Sequence, residues 1–171
     1  MTVTLDHIDR KILTLLQRDA RMTNAAIGAE VNLTAPSVFE RIRKLEQRNV
    51  IQRYTVVLDP AALGKTITAF IRFTVAYDEK HDSGIEALSC DPEVLELYCV
   101  AGEDCFVIKT RVSNAEALQA LINRIRTQVN VLRSVTMIAL GAIKENAPIE
   151  VMESAPDLAS ASGTHTRQTR A

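Results

Sequence analysis

The stretch that decides the fold of the N-terminal half is LTAPSVFERIRKLEQR, residues 33–48. Apolar side chains recur at Val38, Ile42 and Leu45, which is the spacing of one buried helical stripe. At about 100° per residue, the opposite side of the same helix is polar and faces solvent. That polar side carries Pro36, Ser37, Glu40, Arg43, Lys44 and Gln47, with Arg41 on its flank.

The residues around the start of this helix predict a tight turn. Thr34 is a candidate N-cap whose oxygen accepts from the amide of Ser37. Pro36 costs little in the first helical turn, because amides there lack partners within the helix. Asn32 tolerates the left-handed conformation that a tight turn requires.

Two further helices are predicted before the turn. The first has Thr4 as its N-cap and apolar residues at helical spacing, namely Leu5, Ile8, Ile12, Leu15 and Leu16. The second is short and begins after Thr23, another candidate N-cap, and Gly28 weakens it by about 1 kcal/mol relative to Ala. A short helix, a tight turn and a helix with an exposed polar face predict a helix-turn-helix motif.

The charges favour a local contact with a polyanion. The chain of 171 residues has a formal net charge of -1, with nine Lys and Arg against seven Asp and Glu in residues 1–60. An anionic partner is therefore expected to meet one basic patch and not the whole surface. Arg and Lys on a helix are often only solvated, with Glu40 and Lys44 as an ordinary i,i+4 pair. The helix-turn-helix context instead predicts contact with double-stranded DNA.

In such a motif the N-terminal part of the second helix meets base edges. Ser37 and Glu40 are the predicted base-edge contacts, and Pro36 is predicted to lie against a thymine methyl group. The other predicted contacts go to phosphates, which give affinity without sequence information. They are Arg41, Arg43 and Lys44 on the helix, Thr23 and Asn24 at the start of the preceding helix, and Arg53 in a following strand.

From residue 50 the pattern changes from helices to strands. VIQRYTVVLD, residues 50–59, is rich in β-branched residues and predicts a strand, the wing of a winged helix-turn-helix domain over 1–58. Pro and Gly mark 59–65 as a linker. The following elements predict an α+β, ferredoxin-like (βαββαβ) domain over 66–147. They are strands at 66–77, 94–100, 105–112 and 134–143, and helices at 83–89 and 113–129, the second with a Ser113–Glu116 capping box.

The predicted sheet would carry apolar residues on both faces, among them Ile67, Phe73 and Val75. A sheet face without helices needs a partner, so we expect a homodimer that assembles further into a tetramer or an octamer. Residues 148–171 are dominated by Ala, Ser, Thr and Pro and are predicted to be a disordered tail.

Several site classes are not expected. Cys90, Cys99 and Cys105 lack disulfide or zinc spacing and are interpreted as small buried hydrophobes. No metal site and no cofactor is predicted. No apolar run approaches the roughly 18 residues that span a bilayer, so we expect a cytoplasmic protein without a membrane partner.

Three features of the sequence occur in a fixed order: LDHIDRKILTLLQRDAR, then LTAPSVFERIRKLEQRNVI, then a Gly-Glu turn between two strands. Together they resemble the Lrp/AsnC, or feast/famine, family of transcription regulators. The resemblance covers about residues 4 to 145. It implies a helix-turn-helix domain followed by a ferredoxin-like domain that dimerises and usually binds an amino acid. It places the effector at the central hairpin and the facing strand, with Gly102, Glu103, Asp104, Ser134 and Thr136 as candidate residues.

The hairpin departs from the family pattern. Family members commonly have Gly-x-x-Asp there, whereas this chain has GEDCF, with Cys105 in the place of the usual Asp. A neutral thiol does not replace a carboxylate as the partner of an ammonium group. We expect Glu103 or Asp104 to supply that charge, or else a site that prefers a less cationic ligand or stays empty.

Two other functions remain open from the sequence. The protein could be an architectural DNA-binding protein without an effector. It could also be an enzyme similar to the sirohaem decarboxylases, which share the two-domain layout. That chemistry would require well-placed His and Arg residues in the ferredoxin-like half, which contains only one His, His81.

Overall fold

The computed structural model describes residues 4–151, which form two compact units. One unit contains residues 4–56 and 146–151, and the other contains 57–145. The units follow the order of the two predicted domains, and the predicted domain limits stay predictions. Residues 146–151 lie with the first unit, where the side-chain amide of Gln17 donates to the carbonyl of Ile149 at 3.0 Å. The rest of the predicted disordered tail, 152–171, is outside the described residues.

The first unit is built from three helices, as predicted. They are α1 (His7–Arg18), α2 (Asn24–Val31) and α3 (Ala35–Gln47). Each helix contributes apolar side chains to one buried cluster, which contains Ile12, Leu15, Ile27, Val31 and Val38.

The N-cap of α1 is Asp6, so the prediction of Thr4 was wrong. Asp6 accepts from the amide of Asp9 at 2.7 Å, and the carboxylate of Asp9 accepts from the amide of Asp6 at 3.4 Å. This reciprocal capping box satisfies two free amides at once. It also places a carboxylate beside the positive end of the helix dipole.

The strand predicted over 50–59 is not formed. Residues 52–58 have no regular secondary structure and are exposed. The hydroxyl of Tyr54 donates to Glu46 at 3.1 Å, but no described strand lies alongside to complete a ladder. The composition of β-branched residues alone does not make a strand, because a strand requires a neighbour.

The second unit has the predicted ferredoxin-like order. Its elements are β1 (Ile67–Val75), α4 (His81–Ser89), β2 (Val94–Cys99), β3 (Phe106–Val112), α5 (Ala115–Gln128) and β4 (Val131–Ile138). The strand order is β2-β3-β1-β4, and all three pairings are antiparallel.

Most elements in this unit have limits slightly different from those predicted, and the differences that matter most are at β4 and at the N-cap of α5. The strand β4 begins at Val131 and ends at Ile138, so 139–143 lie outside it. The N-cap of α5 is Asn114, whose side chain accepts from the amide of Ala117 at 2.8 Å. The predicted capping box of Ser113 and Glu116 is therefore wrong, because the cap is Asn114 and the residue three positions later, Ala117, has no polar side chain.

Alternate residues of β1 and β3 face the two helices and form the core of this unit. Ile71, Phe73 and Ile108 from the strands are buried with Leu121 and Ile125 of α5. Ile67 and Val75 alternate with the same register as Phe73 and so share the helix-covered face. The prediction that Ile67, Phe73 and Val75 represent both faces of the sheet was therefore wrong.

The face of the sheet opposite the helices, here called the open face, contains both apolar and charged side chains. Phe70 and Arg72 on β1 have Met137 and Val135 as their partners on β4, and Val107 on β3 lies opposite Arg72. Val135 and Met137 are exposed. The expectation of apolar residues on a second face is thus met by other residues than those predicted.

The cysteines are not all buried as expected. Cys90 and Cys99 are exposed, and Cys105 is half-buried. Cys99 ends an edge strand, where fewer neighbours cover a side chain.

Candidate DNA-binding surface and effector hairpin

The turn between α2 and α3 is fixed by local contacts. The backbone of Asn32 is left-handed, with φ 55° and ψ 44°. The amide of Leu33 donates to the carbonyl of Gly28 at 2.9 Å. A Cβ atom at Gly28 would lie 2.4 Å from the carbonyl oxygen of Leu33. The glycine that weakens α2 as a helix is therefore required by the close approach of the turn.

The start of α3 is capped as predicted. The hydroxyl of Thr34 accepts from the amide of Ser37 at 3.4 Å and lies 2.9 Å from the hydroxyl of Ser37. Thr23 caps α2 in the same way and accepts from the amide of Ala26 at 3.2 Å. Both caps hold a helix N-terminus in the geometry that leaves its remaining amides free for a ligand.

The predicted polar side of α3 is exposed. Val38 and Leu45 are buried and Ile42 is half-buried, so the helix orientation agrees with the apolar stripe. The exposed residues include Pro36, Ser37, Glu40, Arg43 and Lys44.

The ion pair on this helix differs from the one considered from the sequence. Glu40 pairs with Arg43 at 2.8 Å, at i,i+3. Between residues 4 and 151, Lys44 has no ion-pair partner within 4.0 Å. Its ammonium group is thus available to an anion.

Arg41 has partners inside the first unit. One of its guanidinium nitrogens lies 2.7 Å from Asp6 and 2.7 Å from Asp9. Both hydrogen bonds raise the pKa of Arg41, and the bond to Asp6 has the larger effect. Burial acts to raise the pKa of Asp6, but the bonds from the Asp9 amide and from Arg41 lower it overall. Arg41 therefore joins α3 to the start of α1, and its guanidinium group is paired with two carboxylates and not free for a phosphate.

The remaining predicted DNA contacts are outside α3. Thr23 is exposed and Asn24 is half-buried at the start of α2. Arg53 is exposed, but on a segment without regular secondary structure and not on a wing strand.

In the second unit, the hairpin between β2 and β3 contains the predicted effector residues Gly102, Glu103 and Asp104. Gly102 has φ 150°, which residues with a side chain rarely adopt, and open space surrounds it. The side chain of Glu103 is 83% exposed and lies 3.6 Å from Arg133. Asp104 is instead buried. The two neighbouring carboxylates are therefore in different environments.

Asp104 is bound by two arginines that sequence reasoning missed. Its Oδ1 accepts from Nη2 of Arg133 at 2.9 Å. Its Oδ2 lies 2.8 Å from Nε of Arg72, outside hydrogen-bonding geometry, so this contact is an ion pair only. The hydrogen bond that Arg133 donates to Asp104 raises the pKa of Arg133. The alternation of residues along the strands could have indicated these two arginines, because Arg72 and Arg133 project from the same face of neighbouring strands.

Ser134 and Thr136 are on the other face of the sheet. Ser134 pairs with Phe73 and Thr136 with Ile71, and directly paired residues project to the same side. Within one chain the structure therefore separates them from Arg72 and Arg133, and the five predicted effector residues do not form a single cluster.

Comparisons with known proteins agree with this architecture. The family model described as the AsnC-type helix-turn-helix domain matches residues 5–46, and that of the Lrp/AsnC ligand binding domain matches 68–149. The chain is 36% identical over 138 residues to the HTH-type transcriptional regulator LrpA of Mycobacterium tuberculosis, covering 81% of this chain and 92% of that protein. The chain belongs to the Lrp/AsnC family.

Other members of the family align with this Lrp/AsnC protein over most of its length. The HTH-type transcriptional regulator FL11 of Pyrococcus horikoshii is 34% identical over 151 residues, covering 88% of this chain and 99% of that one. An AsnC family regulator from Agrobacterium tumefaciens has a TM-score of 0.80 at 28% identity, with coverage of 86% and 97%. A feast-or-famine regulatory protein of M. tuberculosis, solved with L-methionine, has a TM-score of 0.79 at 35% identity, with coverage of 85% and 99%.

This Lrp/AsnC protein is accordingly a helix-turn-helix transcriptional regulator, and the similarity to the family is confirmed. The comparisons do not support the alternative of a sirohaem-decarboxylase-like enzyme. Among residues 4–151, no helix is long and apolar enough to cross a membrane.

Proposed function

We propose that this protein regulates transcription by reading duplex DNA with the exposed side of α3. The observation that carries this proposal is the polar face of a capped helix that follows a fixed turn. Ser37 and Glu40 lie near its N-terminus, where base edges are met, with Pro36 beside them. Arg43 and Lys44 are the proposed phosphate contacts, with Thr23, Asn24 and Arg53 at the periphery.

The second unit is proposed to bind an amino acid, and the regulator is proposed to act without catalysis in the cytoplasm. A relative at 35% identity was solved with L-methionine, which supports this class of effector. In this chain Glu103 is the exposed carboxylate of the hairpin, so we assign the ligand's ammonium group to Glu103. Ser134 and Thr136 would contact a ligand only from the opposite face of the sheet.

DNA binding is tested by titrations at several salt concentrations. Arg43→Ala or Lys44→Ala should weaken binding to all sequences and lower the slope of log K against log salt by about 1, since each removes one phosphate contact. Ser37→Ala or Glu40→Ala should change the preferred sequence instead.

Arg126→Ala is the matched control, because Arg126 is an exposed cation on α5 in the other unit. It should leave both the slope and the preference unchanged. If the two α3 variants have the same slope as the Arg126→Ala protein, α3 is not the phosphate-binding surface.

A further inference from the structure

The turn of the hairpin is held by few contacts. Its base is fixed by backbone bonds from Val100 to Cys105 at 2.9 Å and from Cys105 to Phe73 at 3.1 Å. At its tip, a Cβ atom on Gly102 would meet nothing within 4 Å, and Glu103 is exposed. The hydroxyl of Thr74 donates to the carbonyl of Glu103 at 3.3 Å. The tip therefore lacks the packing that would define its position by itself.

Asp104 connects this turn to two strands across the end of the sheet. It precedes β3, whereas Arg72 belongs to β1 and Arg133 to β4, the strand farthest from β2. Only 6% of the Asp104 side chain is exposed, so its carboxylate has little water to compensate for the loss of either arginine. Bonds to charged partners in such a setting are stronger than neutral ones.

We propose that Asp104, held by Arg72 and Arg133, is a positioning residue that fixes the hairpin so that Glu103 can meet the effector. Both oxygens of Asp104 already face guanidinium groups, so a ligand's ammonium group would have to displace an arginine to reach it. The inference rests on the proposed function for the part that concerns the effector. The ordering of the hairpin does not depend on any ligand.

This assignment separates the two adjacent carboxylates by role. Glu103 should determine whether the site prefers an amino acid over its 2-oxo acid, which lacks the ammonium group. Asp104 should affect the affinity for both ligands equally, because a disordered hairpin must be ordered again before either binds.

The first measurement is hydrogen–deuterium exchange of the peptide spanning 100–106 in the full chain without ligand. Asp104→Asn should lose protection there, and Asp104→Glu should regain part of it because it restores a carboxylate. Arg133→Gln is a second variant, at a position where half of the side chain is exposed. Glu79→Gln, an exposed carboxylate before α4, is the control and should leave the peptide protected.

The second measurement is calorimetry with L-methionine and with its 2-oxo acid. Asp104→Asn should weaken both by about tenfold, the factor that 1.4 kcal/mol represents, and keep their ratio. Glu103→Gln should reduce the preference for L-methionine while leaving the exchange of 100–106 unchanged.

Unchanged protection in both Asp104→Asn and Arg133→Gln overturns the positioning role. Loss of amino-acid preference in Asp104→Asn overturns it as well, because Asp104 would then contact the ligand. A further outcome is that the parent binds neither ligand while the exchange responds as expected. In that case the proposal of an amino-acid effector is wrong, and the positioning of the hairpin by Asp104 stands.

Discussion

Arg41 lies on α3 between the exposed polar face and the core, and its contacts go to carboxylates of α1. Asp9 is the more buried of the two, with a side chain that is 12% exposed, against 49% for Asp6. Removing one partner of a buried charge leaves the other without compensation, which costs more than the pair itself contributes. Arg43, two residues later, pairs with Glu40 in solvent, where an ion pair contributes little.

Arg41→Met should therefore destabilise the protein by about 1–3 kcal/mol, because it leaves the Asp9 carboxylate unpaired. Arg43→Met is the matched control and should change the free energy of unfolding by less than about 1 kcal/mol. Urea unfolding followed by circular dichroism measures both. Equal midpoints for the two variants would contradict the structural role of Arg41.

Among the predicted N-caps, Thr23 and Thr34 are correct, whereas Thr4 and Ser113 are wrong. Thr23 and Thr34 are caps because each precedes a helix and has an oxygen in reach of an amide three residues on. Partners distant in sequence could not be predicted. The contacts of Arg41 with Asp6 and of Asp104 with Arg133 span 35 and 29 residues, and only the folded chain brings them together.

At the scale of elements, α5 is attached to the segment before β2 by a group of charges. Arg124 donates to Asp91 at 2.8 Å and to Glu93 at 2.7 Å, and Lys65 lies 3.1 Å from Glu93. The bond from Arg124 is the largest cause of a lowered pKa at Glu93. At Asp91, burial is the largest single influence and acts to raise the pKa, but the charge and hydrogen bonds of Arg124 together with the bond from the Glu93 amide lower it overall.

These shifts predict an acid-dependent stability. A carboxylate with a lowered pKa in the folded state stabilises the fold above its ordinary value, here 3.8 for Asp91 and 4.5 for Glu93. That stabilisation is lost as the pH falls through the lower, folded value. The free energy of unfolding of the parent should therefore decline below about pH 4.5.

Arg124→Met should flatten this part of the decline, because it removes the main cause of the shift. Arg126→Met, a change of the same kind on the same helix, should leave it as in the parent. Chemical denaturation at a series of pH values between 3 and 7 compares the three proteins. Parallel curves for the parent and the Arg124→Met protein would refute the role of this ion-pair group.

Helices with a strong period were predicted, and so were the strands β1, β2 and β3, but two segments identified as strands from composition were not placed correctly. The stripes of α3 and α5 identified both helices because each helix buries its own periodic face. Residues 50–59 have strand composition without a strand beside them, and β4 is displaced from its predicted position. In both segments β-branched residues are frequent, and pairing, which the sequence does not state, decides the outcome.

At the scale of the whole molecule, the open face of the sheet has the character of an interface. Its apolar side chains are next to ion pairs within the face, such as Lys109 with Glu96 at 3.3 Å and with Glu145 at 3.4 Å. Paired charges can be covered at a lower cost than free ones. One helix-turn-helix reads only a few base pairs, so two copies are needed for half-sites about 34–36 Å apart.

We therefore expect a homodimer or a larger even-numbered oligomer formed through the open face. Val135→Asp should reduce the mass measured by light scattering after size exclusion, because it buries a charge in the interface. Ile138→Asp is the control, since Ile138 is on the same strand and pairs with Ala69 on the helix-covered face. A parent that is monomeric at micromolar concentration would contradict the assembly.

The close approach of Gly28 to Leu33 also limits how this regulator can diversify. One residue inserted between Val31 and Ala35 would disrupt the left-handed turn at Asn32 and the 2.9 Å bond from the Leu33 amide to the Gly28 carbonyl. The direction of α3 relative to α2 would then change, and with it the side to which Ser37 and Glu40 project, while Val38 would lose its place in the core. The connection between α2 and α3 therefore has to keep its length. A new preference for a DNA sequence has to arise from substitutions on α3.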